Sequence, residues 1–230
     1  MINIIKNDFY KLYKTYSIYI IMFAINILSI ILSLYMYKKG IITSEKEIFI
    51  LFENIAFYNL ILFIIVYFGG YISDEYGNGT IKLSLIYSIT RNEFIISKFI
   101  IFFINAIIML SLNLIIGFIS TLCLCKNMIH GILPIIIYNY ILIIPLMALA
   151  IIGLIISISL DKSAYVAYIF LAIYIVSKLF LDKLGIINIV NDLSIDILEK
   201  NEFHIIFISI IYIIIGLIIS LILFNKKSIN

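Results

Sequence analysis

Residues 71–98 read YISDEYGNGTIKLSLIYSITRNEFIISK. The segment carries charges of both signs and two glycines, and it interrupts a chain that is otherwise almost continuously apolar. Its parts have distinct local signals. Tyr76–Gly79 (YGNG) reads as a helix stop, because Gly and Asn accept the positive φ of a turn. Thr90 and Glu93 in TRNE have the Ser/Thr-x-x-Glu spacing of a capping box, which restarts a helix. The stretch between them, TIKLSLIYS, is short and moderately apolar. A short helix there, lying across a membrane surface, presents Lys82, Tyr87 and their neighbours to a soluble protein, although a plain connecting loop fits the pattern as well.

The surrounding composition fixes the solvent. Of 230 residues, 64% are hydrophobic and 13% charged, with a mean hydropathy of +1.22. A soluble domain is about half apolar and about a quarter charged. The chain therefore reads as an all-α integral membrane protein, a single polytopic domain over residues 1–230. A spanning helix needs about 20 mainly apolar residues. Six segments qualify, near 16–36, 50–72, 94–121, 132–158, 163–181 and 203–224. The third and fourth exceed the required length, and Pro134 and Pro145 predict a kink in the fourth. Ser44 and Glu47 repeat the capping-box spacing before the second span.

Six spans put both termini on one side. Lysines and arginines divide nine to seven in favour of the face bearing the termini, the 73–93 loop and the 161–162 turn. The lysines near both ends are juxtamembrane, so both termini are expected in the cytoplasm of a bacterial cell. Residues 1–15 alternate Ile4, Ile5, Phe9 and Leu12 or Tyr13 with Lys6, Asn7, Lys11 and Lys14. This predicts an N-terminal interfacial helix whose lysines reach anionic head groups. The start is expected to be retained rather than cleaved as a signal peptide. Residues 182–202 form an amphipathic external segment, expected to be helical and either lying on the outer interface or folding partway back into the bilayer. Enrichment in Ile, Asn, Lys, Tyr and Phe reflects A/T-rich codons, so isoleucine-rich helices say little about function.

Several chemistries are missing from the sequence. No phosphate-cradling G-x-x-x-x-G-K-[ST], no H-E-x-x-H, no G-x-S-x-G and no paired-cysteine metal set occurs. Cys123 and Cys125 are too close for a disulfide framework. Ionisable residues are nearly absent from the spans, and no ladder of acids suggests proton coupling. Glu53 is the exception. An intramembrane carboxylate is a functional candidate, yet Glu53 falls near the outer interface, where a structural role serves as well. Asn26, Asn54, Asn59, Asn105, Asn113 and Asn139 are intramembrane amides. Glu53, Asn54, Asn59, Asn105 and Asn113 are candidates for a polar translocation path, or for hydrogen bonds between helices.

The arrangement SDEYGNGTIKLSLIYSITRNEFIISKFI resembles the signature region of type-2 ABC exporter permeases. Asp74 and Glu75 match the acids of that pattern, Gly79 and Thr80 its Gly-Thr, Thr90 and Arg91 its Ser/Thr-Arg, and Lys98 the lysine one turn into the third span. Small size and low-GC character are most similar to the bacteriocin (lantibiotic) immunity and bacitracin-resistance branch. The resemblance implies a permease without catalytic residues or cofactors of its own, with ATP and Mg bound by separate cytoplasmic ATPase subunits. It implies a homodimer, or a pair with a sister permease, expelling antimicrobial peptides. ATPase coupling then falls to Asp74, Glu75, Gly79, Thr80, Ile81, Lys82, Leu83, Tyr87, Arg91 and Glu93. Two other classes compete. One is a stand-alone membrane immunity protein or channel. The other is an intramembrane protease, for which Glu53 and His204 are the available acid and histidine.

Overall fold

The computed structural model describes residues 2–14, 16–40, 45–79, 81, 90–125, 136–137, 140–141, 143–176 and 195–227. All regular structure among them is helical. The helices are α1 (Ile2–Lys14), α2 (Tyr16–Lys38), α3 (Glu45–Phe68), α4 (Asp74–Gly77), α5 (Arg91–Cys125), α6 (Ile143–Ser159), α7 (Ser163–Val176) and α8 (Ile195–Lys226). A π-helical turn, Gly69–Ser73, joins α3 to α4 without a break.

Among the described residues, two stretches, Arg91–Cys123 and Ile206–Lys226, are long and apolar enough to cross a membrane. Only 17% of the most apolar window of the second is buried, so it is not the core helix of a soluble protein. Large apolar side chains such as Phe23, Ile31, Ile115, Phe207 and Ile214 lie exposed along α2, α5 and α8. The protein is a membrane protein, and the exposed apolar side chains suit a surface set in lipid.

Helix α6 is the centre of the bundle. Thirteen of its residues are buried, and it packs on α3, α5, α7 and α8. Lipid tails are as apolar as leucine, so helices associate in a bilayer through close packing and hydrogen bonds. Small residues supply that closeness. Gly216 of α8 seats on the Ile151 side chain with no room for a Cβ, and Gly153 of α6 faces Ile64, Phe68 and Phe170. Ser209 and Ser220 continue the buried seam of α8. Helices α3 and α5 run antiparallel. Phe63 stacks on Phe102 at 5.3 Å, and the Tyr67 hydroxyl donates to the Lys98 carbonyl at 2.9 Å.

The helix boundaries differ from expectation in two places. The external segment at 182–202 was expected to be separate from the last span, but Ile195 onwards is one continuous helix with it. No Gly or Pro falls between Ile195 and Ile206, and acids Asp196 and Glu199 suit a helix N-terminus. The second difference is the π turn, where the paired glycines Gly69 and Gly70 permit a wider turn instead of a stop. The helix ends four residues later, at Gly77, and the chain turns at Gly79, whose φ is +67°. Helix α1 forms as expected, but its apolar face is covered by protein. Leu12 is buried, and Ile5 and Phe9 pack on the core, leaving Lys6, Tyr10 and Lys14 exposed.

Candidate coupling site

The polar residues of the opening segment converge at one end of the bundle, with α1, the turn between α6 and α7, and the end of α8. The first group surrounds Lys98. Its side chain is 1% exposed, and its ammonium lies 2.9 Å from Asp8 Oδ2 and 2.9 Å from Glu75 Oε2. Lys11 approaches the same carboxylates, at 3.0 Å from Glu75 and 3.8 Å from Asp8. Two lysines thus balance two acids, which is how ionic groups are held away from water. The network ties α1, α4 and α5 together.

Burial pushes the Asp8 carboxyl above the usual carboxylate range, against the pull of Lys98 and with the push of neighbouring Glu75. The folded chain therefore holds this proton more tightly than an extended one. Its contribution to stability is present below the ordinary aspartate range and is lost as pH rises through the raised value. Asp8→Asn is expected to flatten that part of the stability profile, read as thermal midpoint against pH in detergent, while Lys98 keeps Glu75.

The second group seats α4 on the α6–α7 turn. Ser73 donates to the Leu160 carbonyl at 2.9 Å, and the Ser163 backbone N–H donates to Asp74 Oδ1 at 3.1 Å. Asp74 thereby satisfies a free donor at the N-terminus of α7, where the helix dipole favours an anion. Gly77 rests on the Asp161 carbonyl so closely that a Cβ has no space.

The third group gathers the end of α8. Arg91 Nη1 lies within hydrogen-bond distance of the carbonyls of Phe224 (3.1 Å), Asn225 (2.8 Å) and Lys227 (3.0 Å). The Asn225 amide donates to Asn92 at 3.0 Å. Lys227 donates to the Ile158 carbonyl at 2.7 Å and to Asp161 Oδ1 at 2.6 Å, and lies 3.9 Å from the Tyr76 ring centre. Burial raises the Tyr76 hydroxyl to about 12, with Arg91 pulling down and Asp161 pushing up. Tyr76 therefore stays neutral beneath the lysine.

The capping box at the start of α5 forms reciprocally. Thr90 N–H donates to Glu93 Oε2 at 3.1 Å, and Glu93 N–H donates to Thr90 Oγ1 at 3.2 Å. Asp74, Glu75, Arg91 and Glu93, expected to serve ATPase coupling, all have partners within the chain. Gly79 forms the turn, and Ile81 is buried in the core. Thr80, Lys82, Leu83 and Tyr87 lie outside the described residues, as does Ser44.

Among the candidate path residues, Asn59, Asn105 and Asn113 are buried between helices. Asn105 donates to Ile101 O and accepts from Tyr19, and Asn113 donates to Met109 O. Such bonds to the preceding turn, and across to α2, are those of amides that hold helices. The side chains of Glu53, Asn54 and His204 lie outside the description, as does Asn139. Sequence reasoning missed Asp8, Asp161 and the role of Lys227. Asp8 had a usable signal, since it shares a helical face with Ile5 and Leu12. Asp161 and Lys227 are 66 positions apart and had none.

A search among curated proteins gives no match. A family model described as ABC-2 family transporter protein matches residues 4–178, from the third residue of α1 to just past α7. That span contains Asp8, the whole opening segment, Lys98 and the α6–α7 turn. The chain belongs to the ABC-2 family of transporter proteins, the permease components of ABC transporters.

Proposed function

We propose that this chain is the permease subunit of an ATP-driven exporter, with both termini cytoplasmic and six spans. Separate ATPase subunits dock beneath the polar end, and residues 80–87 are the element they grip. The supporting observation is the anchoring of α4, which leads directly into that element. Through Glu75, Asp74, Ser73 and Tyr76 it meets α1, α5, the α6–α7 turn and the end of α8. A push on residues 80–87 therefore reaches several helices at once, as a rigid-body switch requires. The working unit is a pair of permeases, a homodimer or a pair with a sister chain. Its substrate is an antimicrobial peptide taken from the membrane, a reading carried by the small size and low-GC character that the chain shares with peptide-resistance permeases.

Replacing residues 80–87 with a Gly/Ser linker is expected to abolish co-purification of the ATPase while leaving a monodisperse permease. Undiminished ATPase binding to the linker variant would refute the assignment. Export of peptide is read separately, as loss of survival of the linker strain on a panel of cationic antimicrobial peptides.

A further inference from the structure

The end of α8 belongs to none of the sequence motifs, yet it is held by more polar contacts than its length explains. Two cations carry the arrangement, and each neutralises the end of a helix other than its own. A helix C-terminus leaves carbonyls without partners and carries partial negative charge. Arg91, at the start of α5, reaches the last carbonyls of α8. Lys227, just past α8, reaches Ile158 in the last turn of α6 and the Asp161 carboxylate beyond it. An arginine in the first turn of its own helix is unfavourably placed against that dipole, so its favourable partner is the neighbour. Phe224, fully buried, stacks on Phe94 at 5.5 Å and meets the edge of Tyr76 at 5.7 Å. The Lys227 ammonium then covers the same Tyr76 ring.

We infer that residues 224–227 are a clasp fastening α8 to α5, to the α6–α7 turn and, through Tyr76, to α4, so that the last span and the coupling segment shift as one body, with Arg91 and Lys227 as its positioning residues. The coupling half of this statement rests on the function proposed above; the fastening half does not. Arg91 holds the end of α8 to α5, and Lys227 holds it to the end of α6 and the α6–α7 turn on which α4 is seated, while Tyr76 of α4 packs directly on Phe224 and Lys227. Movement of α4 is therefore shared with α8 through Tyr76 and through the α5 and α6 ends on which both rest.

The test is a distance measurement by paired spin labels on Asn78→Cys and Lys226→Cys, both exposed and with side chains that make none of the contacts described above, in a Cys123→Ser/Cys125→Ser chain. The unsubstituted clasp is expected to give one narrow distance. Arg91→Gln with Lys227→Met is expected to lose that narrow peak while the protein still elutes as one species. Lys227→Arg, which keeps the charge, is expected to restore it. A narrow peak that survives the double substitution overturns the clasp, whether or not an ATPase binds. With the ATPase bound, the Asn78–Lys226 distance is expected to stay constant between nucleotide-free and ATP-trapped states while a Lys39–Lys226 pair shifts. A nucleotide-dependent change in the Asn78–Lys226 distance overturns the one-body claim. Failure of the exporter reading appears separately, as no ATPase in the purified sample.

Discussion

Lys98→Met is expected to be the most damaging single substitution at the polar end. It removes the cation closest to two carboxylates whose side chains are only 6% and 14% exposed. Breaking a buried ion pair by deleting one partner costs about 3–5 kcal/mol, because the surviving charge stays desolvated. Here two charges survive, and they repel each other. Lys11 is half in solvent and keeps its 3.0 Å contact to Glu75 and a longer one to Asp8. Thermal unfolding in detergent, followed by the fraction remaining monodisperse, reads the effect. The triple variant Asp8→Asn/Glu75→Gln/Lys98→Met removes all three charges and is expected to recover most of the loss. If Lys98→Met melts like the parent, the network contributes little to the fold. If the triple variant is as unstable as Lys98→Met, packing of the lysine stem is the main contribution.

Gly77→Ala is the second large effect. An added Cβ meets the Asp161 carbonyl oxygen, which is backbone and cannot rotate aside as a side chain does. Overpacking of this kind costs about 1–3 kcal/mol, occasionally more. Relief requires α4 to lift from the α6–α7 turn, which breaks the bonds from Ser73 to Leu160 and from Ser163 to Asp74. The expected result is a lower thermal midpoint together with weakened ATPase co-purification. Gly79→Ala is the comparison. Gly79 has open space around it but a φ of +67°, so the substitution adds only left-handed backbone strain of about 1–2 kcal/mol. Equal effects of the two would show that contact with Asp161 does not fix α4.

The parts of this architecture that were legible in the sequence are those governed by neighbours in the chain. The Thr90–Glu93 capping box and the turn at Gly79 depend on residues within one helical turn, and both form as read. The apolar segments at 16–36 and 94–121 coincide with α2 and α5 for the same reason. What escaped reading depends on which helices meet. Asp8 was passed over among lysines, because an acid in an amphipathic lead-in reads as solvated until Lys98 is placed above it. Arg91 and Glu93 were assigned to ATPase coupling by resemblance, and Glu93 to the capping box by its spacing. Their geometry turns Arg91 onto α8 and Glu93 back onto its own helix start. The Lys227–Asp161 contact joins two ends of the chain through the packing of α6 against α8, and no local pattern announces it. The π turn at Gly69–Ser73 lies partly within the segment read as the second span, and apolar patterning does not distinguish a π turn from an α-helical one.

The narrow seam of α8 bears on how this sequence drifts over generations. Ser209, Gly216, Ser220 and Phe224 are buried, whereas Ile210, Ile211, Ile214, Ile215, Ile218 and Ile219 are exposed. Exchanging one of those isoleucines for leucine or valine replaces one hydrocarbon against lipid with another, so selection has little to act on. Along the buried line the opposite holds, since Gly216 has no space for even a methyl group before Ile151 must move. The helix is mutationally loose around most of its circumference and tight along a single edge.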